Sequence, residues 1–443
     1  MKFLKSFTAI SCAAVCAVSL AACSAGKSTR IGKPAEKITL TYEQRTSDSL
    51  NAFRAKAESF AADFAAYAYD TRKDESNFAV SPVSVYMALS LAAECADGTT
   101  RGEILNALGV THSELKENFP LFYNSLAIEH KRGNKLTGTL IPSNSVWVNE
   151  GTPVNQPCID ALSDYYYAYS YSADFAKGNR AANDAVRKFV KDQTKGLIDK
   201  DFNFSEDTLF TLINTLYLKT IWNEDGDDLR VWDNCDFKNA DGTLTNTALL
   251  QGYYNAGRAY KTEKYSTFFT KTYDGYKIKF LVPNEGYSVE DVFTSENIAA
   301  ANSLKDYNSD DDELQISYFT RCLFPEYKCS YDNEINVILK EKFGIDKFFN
   351  DPGIYPAGQS CDFSNLSTEK CYCSSVKHVT DLTVDKKGIE GAAVTVIQMD
   401  GATSAGPGEY ERVYEDFIID RAFGFIITDP YDVTLFSGVV NSL

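Results

Sequence analysis

The chain has 443 residues, of which 44% are hydrophobic, 13% aromatic and 24% charged. This composition supports a large buried core and excludes a disordered chain. The formal net charge of −17 would repel nucleic acid, so we exclude a nucleic-acid partner. No linker rich in Pro, Gly or Ser interrupts residues 45–443, which predicts one large domain.

The first 22 residues have the pattern of an export signal. Lys2 and Lys5 precede an apolar run that ends in Leu-Ala-Ala-Cys23, and this ending resembles a bacterial lipobox. We therefore expect residues 1–22 to be removed, Cys23 to carry lipid, and residues 23–44 to form a flexible tether. Several acyl chains hold a protein firmly on a membrane. The prediction is an exported bacterial protein anchored at the cell surface or membrane, and the alternative is a free secreted protein.

Eight cysteines follow the export segment and Cys23. Disulfides are permitted outside the cytoplasm. The candidate local pairs are Cys322 with Cys329, and Cys361 with Cys371 or Cys373. A zinc site would need paired C-x-x-C spacings, whereas these cysteines are spaced C-x6-C and C-x-C. The acidic runs at 224–228 and 310–313 lack the glycine and downstream glutamate of a calcium loop. We therefore predict no metal site and no cofactor.

Two patterns near the start of the domain predict helices. From Leu50 onward, aromatic and alanine side chains recur at helical spacing up to Tyr67, which predicts an amphipathic packing helix. Ser81 is suited to cap a second helix that begins at Pro82. The segment Asp97-Gly98-Thr99-Thr100 should end that helix and cap a third, which runs from Arg101 to Leu108 and stops at Gly109.

The later segments predict strands. Leu212 to Trp222 is apolar on both faces, as expected of a strand in the centre of a sheet. Val384 to Met399 contains no proline and is rich in the Val, Thr and Ile that favour extended structure. Two more apolar segments, Phe423–Ile427 and Leu435–Asn441, close the chain.

Four segments, in chain order, resemble the serpin family over about residues 45–443. They are Phe78 to Ser84 with the Gly98 to Gly109 pattern after it, Leu212 to Trp222, Asp362-Phe363-Ser364 followed by His378 and by Val384 to Ala393, and the two C-terminal segments. The resemblance implies a mixed α/β domain. It would have a large central, mostly antiparallel sheet, surrounding helices and an exposed reactive centre loop at about residues 386–412.

The resemblance also implies a function. A target serine protease would cleave the loop as a suicide substrate, and the loop would enter the central sheet as a strand and trap the acyl-enzyme. The implied hinge residues are Lys386, Gly388, Ile389, Glu390, Gly391, Ala392 and Ala393. The implied supporting residues beneath and beside the central strands are Ser81, Ser84, Asn214, Trp222 and His378. The protein would be an inhibitor and not an enzyme, and we expect a monomer.

Family spacing places the cleaved bond between Ala402 and Thr403. No Lys or Arg occurs from Gly388 to Glu411, so a trypsin-like protease, whose specificity pocket is acidic, is a poor candidate. Elastase-like and subtilisin-like proteases accept small side chains. They are the expected partners.

The loop has the alternation that a central strand needs. Such a strand is buried on alternate faces and must carry no buried charge. One face holds Ile389, Gly391, Ala393, Thr395, Ile397 and Met399, and the other holds Glu390, Ala392, Val394, Val396 and Gln398. The first face is uncharged. Burying Ile389, Ile397 and Met399 would contribute on the order of 5–9 kcal/mol, so the intact form would be kinetically rather than thermodynamically stable.

Two hinge residues depart from the family pattern. Ile389 stands where a small hydroxyl residue is usual, and we expect it to slow strand entry. Lys386 stands where a glutamate is usual, so its charge needs an acidic partner or solvent near Trp222. These departures keep open a non-inhibitory serpin-fold binding protein at the cell surface. A lipid-anchored binding lipoprotein of another fold is a further alternative.

An enzyme is disfavoured. The chain has only three histidines, His112, His130 and His378. It also lacks Gly-x-Ser-x-Gly, His-Glu-x-x-His and a phosphate-binding glycine loop.

Overall fold

The computed structural model describes residues 28–71, 77–133, 135–175, 180–204, 207–223, 226–304, 307, 310–311, 316–373, 376–391 and 411–443. Predictions for Cys23, Ala392, Ala393, Ala402 and Thr403 lie outside these residues. In the part of the chain described, no helix combines the length and the apolar character needed to cross a membrane.

The three predicted helices form in the predicted order, and seven further helices are described. They are α1 Tyr42–Arg45, α2 Asp48–Thr71, α3 Pro82–Cys95, α4 Gly98–Leu108, α5 His112–Leu126, α6 Gln156–Asp164, α7 Arg180–Gln193, α8 Val289–Val292, α9 Ser295–Ser303 and α10 Asn336–Glu341, with a 3-10 turn at Lys347–Phe349. Gly109 ends α4 in the left-handed conformation at φ 69°, as glycine readily does. Ser81 occupies the predicted N-cap position of α3, whereas α4 begins at Gly98, three residues before the predicted Arg101, with Asp97 as its N-cap. Neither side chain makes a capping hydrogen bond.

The strands are β1 Ser28–Gly32, β2 Phe78–Val80, β3 Glu129–Arg132, β4 Lys135–Asn149, β5 Ala168–Ala173, β6 Phe210–Ile221, β7 Val231–Lys238, β8 Leu244–Ala256, β9 Tyr260–Lys261, β10 Tyr265–Lys271, β11 Lys277–Pro283, β12 Asp310–Asp311, β13 Ile316–Pro325, β14 Tyr327–Glu334, β15 Lys377–Asp385, β16 Gly388–Gly391, β17 Glu411–Ile418, β18 Phe423–Thr428 and β19 Thr434–Val440. Fourteen of them form one mixed sheet in the order β1-β5-β4-β6-β16-β15-β14-β2-β19-β18-β11-β10-β9, with β3 on β4. A second sheet has the order β12-β13-β8-β7, and β17 lies parallel to β13.

The N-terminal segment differs from the predicted tether. Strand β1 pairs antiparallel with β5 at the edge of the main sheet, with Ser28 opposite Ala173. The Ile38 amide donates to the Asn124 side chain at 2.9 Å, so contacts with the domain continue past the strand. The tether prediction is therefore wrong for residues 28–44. An edge strand such as β5 leaves one row of backbone groups to be paired, and β1 satisfies them.

Helix α3 lies beneath the centre of the main sheet and contacts β6 and β19. Aromatic rings fix it against its neighbours. Tyr86 packs edge-on to Phe53 of α2 at 5.8 Å and to Phe60 at 5.6 Å, measured between ring centroids. Such edge-to-face pairs add to the free energy gained from burial. The aromatic residues whose spacing predicted α2 are thus the ones that pack against α3 and hold it under β6.

Candidate functional site

A tight turn connects β15 to β16. The Asp385 carboxylate accepts hydrogen bonds from the backbone N–H groups of Lys387 at 2.8 Å and Gly388 at 3.1 Å. A Cβ atom at Gly388 would lie 1.8 Å from the carbonyl oxygen of Thr220, so only glycine fits there. The turn sends the chain straight back along β15.

Four residues of the predicted hinge, Gly388–Gly391, form strand β16. β16 lies between β6 and β15 and is antiparallel to both. Gly388 stands opposite Ile221 and Asp385, and Gly391 stands opposite Leu218 and Leu382. Four residues therefore fill the upper end of a gap in the centre of the sheet.

The side chains of β16 lie on the predicted faces. Ile389 is 1% exposed, whereas the Glu390 carboxylate points to solvent and contacts Lys219 Nζ at 3.1 Å and the Tyr217 hydroxyl at 3.3 Å. Charge is thus kept off the buried face. The structure corrects one expectation, because Ile389 is already buried in the sheet and its bulk does not have to enter later.

Beyond Gly391, no strand among the described residues lies between β6 and β15. A cavity of about 1130 Å³ lies between residues 208–216 of β6 with its preceding loop and residues 376–381 at the start of β15. Among the described residues, β6 and β15 form no strand pair with each other. We call the space between β6 and β15 the slot. Its closed half contains Gly388–Gly391, and its open half is this cavity.

The floor of the open half is a buried polar cluster. The Ser84 hydroxyl donates to the Asn214 side-chain oxygen, and the Asn214 amide donates to Asn144 Oδ1 at 2.7 Å. The backbone N–H of Ser81 donates to His378 Nε2 at 3.0 Å. The structure thus brings together the predicted supporting residues Ser81, Ser84, Asn214 and His378, from α3, β6 and β15.

His378 is held neutral in this cluster. Burial lowers its pKa to about 3, because a charged imidazole loses its hydration when it is buried. The rings of Phe64 and Tyr331 lie 6.0 and 5.8 Å from it, between ring centroids. Because Nε2 accepts from Ser81, the proton of the neutral ring is on Nδ1.

Sequence reasoning missed two members of the floor. Asn144 is fully buried on β4, where it also donates to the Tyr166 carbonyl at 2.7 Å. Thr380 of β15 donates to the backbone carbonyl of Ala79. The signal for Asn144 was its place in a strand of small and apolar residues, since a polar side chain buried there needs partners.

Trp222 and Lys386 lie at the closed end of the slot. The buried Trp222 indole N–H donates to the Asp385 carbonyl at 2.6 Å. Lys386 Nζ forms an exposed ion pair with Asp228 at 3.0 Å, so the expected acidic partner is Asp228. The Lys386 amide also donates to Glu326 Oε1 at 2.8 Å.

A buried carboxylate beneath the closed half was not predicted. Asp274 is 2% exposed and accepts hydrogen bonds from the hydroxyls of Thr137 at 3.1 Å and Thr220 at 3.3 Å. Burial raises the pKa of Asp274 to about 6, while these two hydrogen bonds act in the opposite direction. Its sequence context, Tyr-Asp-Gly, is typical of an exposed turn, which is why the residue did not stand out.

No disulfide is formed between the cysteines that the structure describes. The predicted pair of Cys322 and Cys329 is wrong. Cys322 lies on β13 in the smaller sheet, whereas Cys329 lies on β14 in the main sheet. Cys361 does lie near Cys371 and donates to its carbonyl at 2.9 Å. Within the described ranges, no group of three or more His, Cys, Asp or Glu is placed to hold a metal ion.

The architecture and the sequence match one family. The family model described as "Serpin (serine protease inhibitor)" matches residues 55–443. The chain belongs to the serpin family. The predicted fold and family are thereby confirmed, and serpins as a family are inhibitors of proteases rather than enzymes, although some are non-inhibitory.

Individual relatives and solved structures align with most of this serpin. Iripin-1 of Ixodes ricinus is 26% identical over 376 residues, which cover 83% of the chain and 90% of the relative. Among solved structures, the native state of the thermophilic serpin tengpin matches with a TM-score of 0.69 at 21% identity, covering 94% of this chain and all of that one. Thyroxine-binding globulin in complex with thyroxine also has a TM-score of 0.69, at 19% identity, covering 88% and 99%.

Proposed function

We propose that this serpin traps serine proteases as a suicide substrate and that the open half of the slot receives its cleaved loop. The half-filled slot carries the proposal. Gly388–Gly391 already pair with both neighbouring strands, and the space directly beyond them is a cavity. A loop cut at its far end need only continue the strand that it has begun.

The register of β16 specifies where each further residue would fall. Continued along β6 and β15, it sets Ala393 opposite Leu216 and Thr380, and Thr395 opposite Asn214 and His378. It sets Met399 opposite Phe210, the first residue of β6. The segment from Gly388 to Met399 therefore matches β6 in length. The alternation that buries Ile389 would bury the uncharged face throughout.

With Ile389 already buried, the free energy expected from loop insertion is smaller than the sequence predicted, but it still favours insertion. Ile389 is buried before cleavage, so its burial cannot favour insertion again. Ile397 and Met399 remain, and their burial contributes about 3–6 kcal/mol. New backbone hydrogen bonds to β6 and β15 add about 0.5–1.5 kcal/mol each, against the cost of ordering the strand. The intact protein is then a kinetically stable form.

The target preference follows from the residues around the bond between Ala402 and Thr403. Small side chains occupy this stretch, and no basic residue occurs between Gly388 and Glu411. The supported targets are elastase-like or subtilisin-like proteases. A trypsin-like enzyme would lack its preferred Lys or Arg.

We propose further that the protein is exported and held on a membrane by lipid on Cys23, as a monomer. Strand β1 begins at Ser28, five residues after Cys23. At about 3.3–3.6 Å per extended residue, the anchor would hold the β1 edge of the sheet within about 20 Å of the membrane surface. Mass spectrometry of the N-terminal peptide from native cells tests this, and an unmodified Cys23 would contradict it.

The inhibitor proposal is tested by incubating the mature protein with pancreatic elastase, subtilisin and trypsin. We expect a denaturant-stable covalent complex with the first two enzymes and release of a C-terminal peptide that begins at Thr403. Cleavage in the loop without a complex, and without a gain in heat stability, would contradict the proposal.

The second candidate function is non-inhibitory binding. Thyroxine-binding globulin, in complex with thyroxine, has a similar fold, and the unusual Lys386 is compatible with weak inhibition. The elastase and subtilisin experiment separates the two functions, because a non-inhibitory serpin would be cut like an ordinary substrate.

A further inference from the structure

Two buried thiols meet where α3 packs against α6. Cys95 is the last residue of α3 and Cys158 lies in the first turn of α6. They are 0% and 1% exposed, and the two helices that carry them are in contact. Cys158 Sγ also lies 3.8 Å from the carbonyl oxygen of Glu94, the residue before Cys95. Cysteines far apart in sequence thus share one small interior site.

We propose that Cys95 and Cys158 form a structural disulfide in the exported protein, joining the end of α3 to α6. This rests on the proposed export, because disulfides persist in oxidising compartments. Each thiol gives up one proton and one electron, and a disulfide oxidant such as oxidised glutathione takes up both electrons to become two thiols. One S–S bond replaces two S–H bonds.

The surroundings favour this bond over a metal site or a reactive thiol. Contact with Cys158 and burial together raise the pKa of Cys95 well above its ordinary value, so the reduced form would hold thiols rather than the thiolates that bind metals or attack electrophiles. Cys371 is close enough to influence Cys95 as well, but no third ligand completes a metal group in the described part of the chain.

The position of the bond gives it a role in the inhibitor. Helix α3 contributes Ser81, Ser84 and Val85 to the floor of the slot, and Cys95 stands at the opposite end of the same helix. A covalent link to α6 would hold α3 in place while the cut loop enters the slot above it. Because both thiols are buried, the bond must form as the chain folds, and reductant cannot reach it in the folded protein.

Peptide mapping tests the proposal without depending on inhibition or on export. The full chain is refolded in a glutathione redox buffer, treated with an alkylating reagent in denaturant, and digested with trypsin. The expected product links the peptides 74–101 and 136–177, which carry Cys95 and Cys158, and disappears after reduction. Separate alkylation of both cysteines, or a link from Cys95 to Cys371, would overturn the proposal.

Variants supply an independent measurement. The bond would close a loop of roughly 60 residues, so its loss should lower the Tm by about 5 °C. The double variant Cys95→Ser, Cys158→Ser should melt at this lower temperature both with and without reductant. The control Cys235→Ser changes a half-buried thiol on β7 and should melt like the parent. Equal Tm values for the oxidised parent and the double variant would contradict the proposed disulfide.

Discussion

The two halves of the slot share the same walls, β6 and β15, but differ in what lies between them. In the closed half, Gly388–Gly391 complete the backbone pairing, and Ile389 is buried among apolar neighbours. In the open half the walls border a cavity, above a floor of polar side chains that bond to one another. Among the described residues, one molecule thus contains both a completed part of the sheet and a part where the same two strands border a cavity. The following variants compare the two.

The largest expected effect comes from a charge on the face that would be buried in the open half. Ala393→Arg would place an unpaired cation between Leu216 and Thr380, at a cost of several kcal/mol. We expect the number of inhibitor molecules consumed per trapped protease to rise about 100-fold, measured by titrating elastase activity.

The matched control is Ala392→Arg, one residue earlier and on the outward face with Glu390. Its cation would be solvated, so trapping should change by no more than a few-fold. Equal loss of trapping in both variants, or undiminished trapping by Ala393→Arg, would refute the assigned register.

Filling the open half by cleavage should stabilise the protein. Burial of Ile397 and Met399 predicts a Tm at least ~5 °C higher after the loop is cut, measured by calorimetry on intact and nicked samples. The comparison requires a protease that cuts without being trapped. An unchanged or lower Tm would mean that the cut loop stays outside the sheet.

The two halves should respond oppositely to pH. The pKa of His378 is lowered to about 3 in the open half, so the unfolded chain binds the extra proton below about pH 6.5. The stability that neutral His378 provides is present above pH 6.5 and is lost as pH falls toward 3, by up to about 1.4 kcal/mol per unit. His378→Gln should flatten this slope in urea titrations between pH 4 and 7. An unchanged slope would show that His378 is not the group responsible.

For Asp274, beneath the closed half, we expect the opposite pH dependence of stability. Its pKa is raised to about 6, so its favourable contribution is present below about pH 4 and is lost as pH rises through 6. Asp274→Asn should therefore be more stable than the parent at pH 8 and show no such advantage at pH 4. Greater stability of the variant at both pH values would contradict the assignment.

The smallest effect is expected at the turn that connects β15 to β16. The ion pair of Lys386 with Asp228 is exposed on both sides, and exposed pairs contribute little. Lys386→Ala should shift the Tm by less than about 1 °C, and trapping of elastase should remain within a few-fold of the parent. A large loss of trapping would mean that Lys386 guides strand entry.

Local sequence patterns predicted the closed half well. Alternation placed Ile389 on the buried face and Glu390 on the opposite, outward face. Asn144, Asp274 and the meeting of Cys95 with Cys158 could not be predicted in this way, because each depends on which distant elements pack together. The tether prediction failed at residues 28–44 for a related reason. Strand β1 forms because the edge of β5 offers unpaired backbone groups, and the composition of residues 28–32 alone does not predict it.

Hydrogen exchange before and after cleavage tests the central claim most directly. In the intact protein, amides of β6 at residues 218–221 face a paired neighbour, whereas the slot-facing amides at residues 210–217 and 377–381 border the cavity. After cleavage by elastase or subtilisin, we predict that every second amide in these two open segments becomes protected while residues 218–221 and 382–385 keep their protection. Unchanged exchange at residues 210–217 and 377–381 would contradict insertion of the loop into the slot.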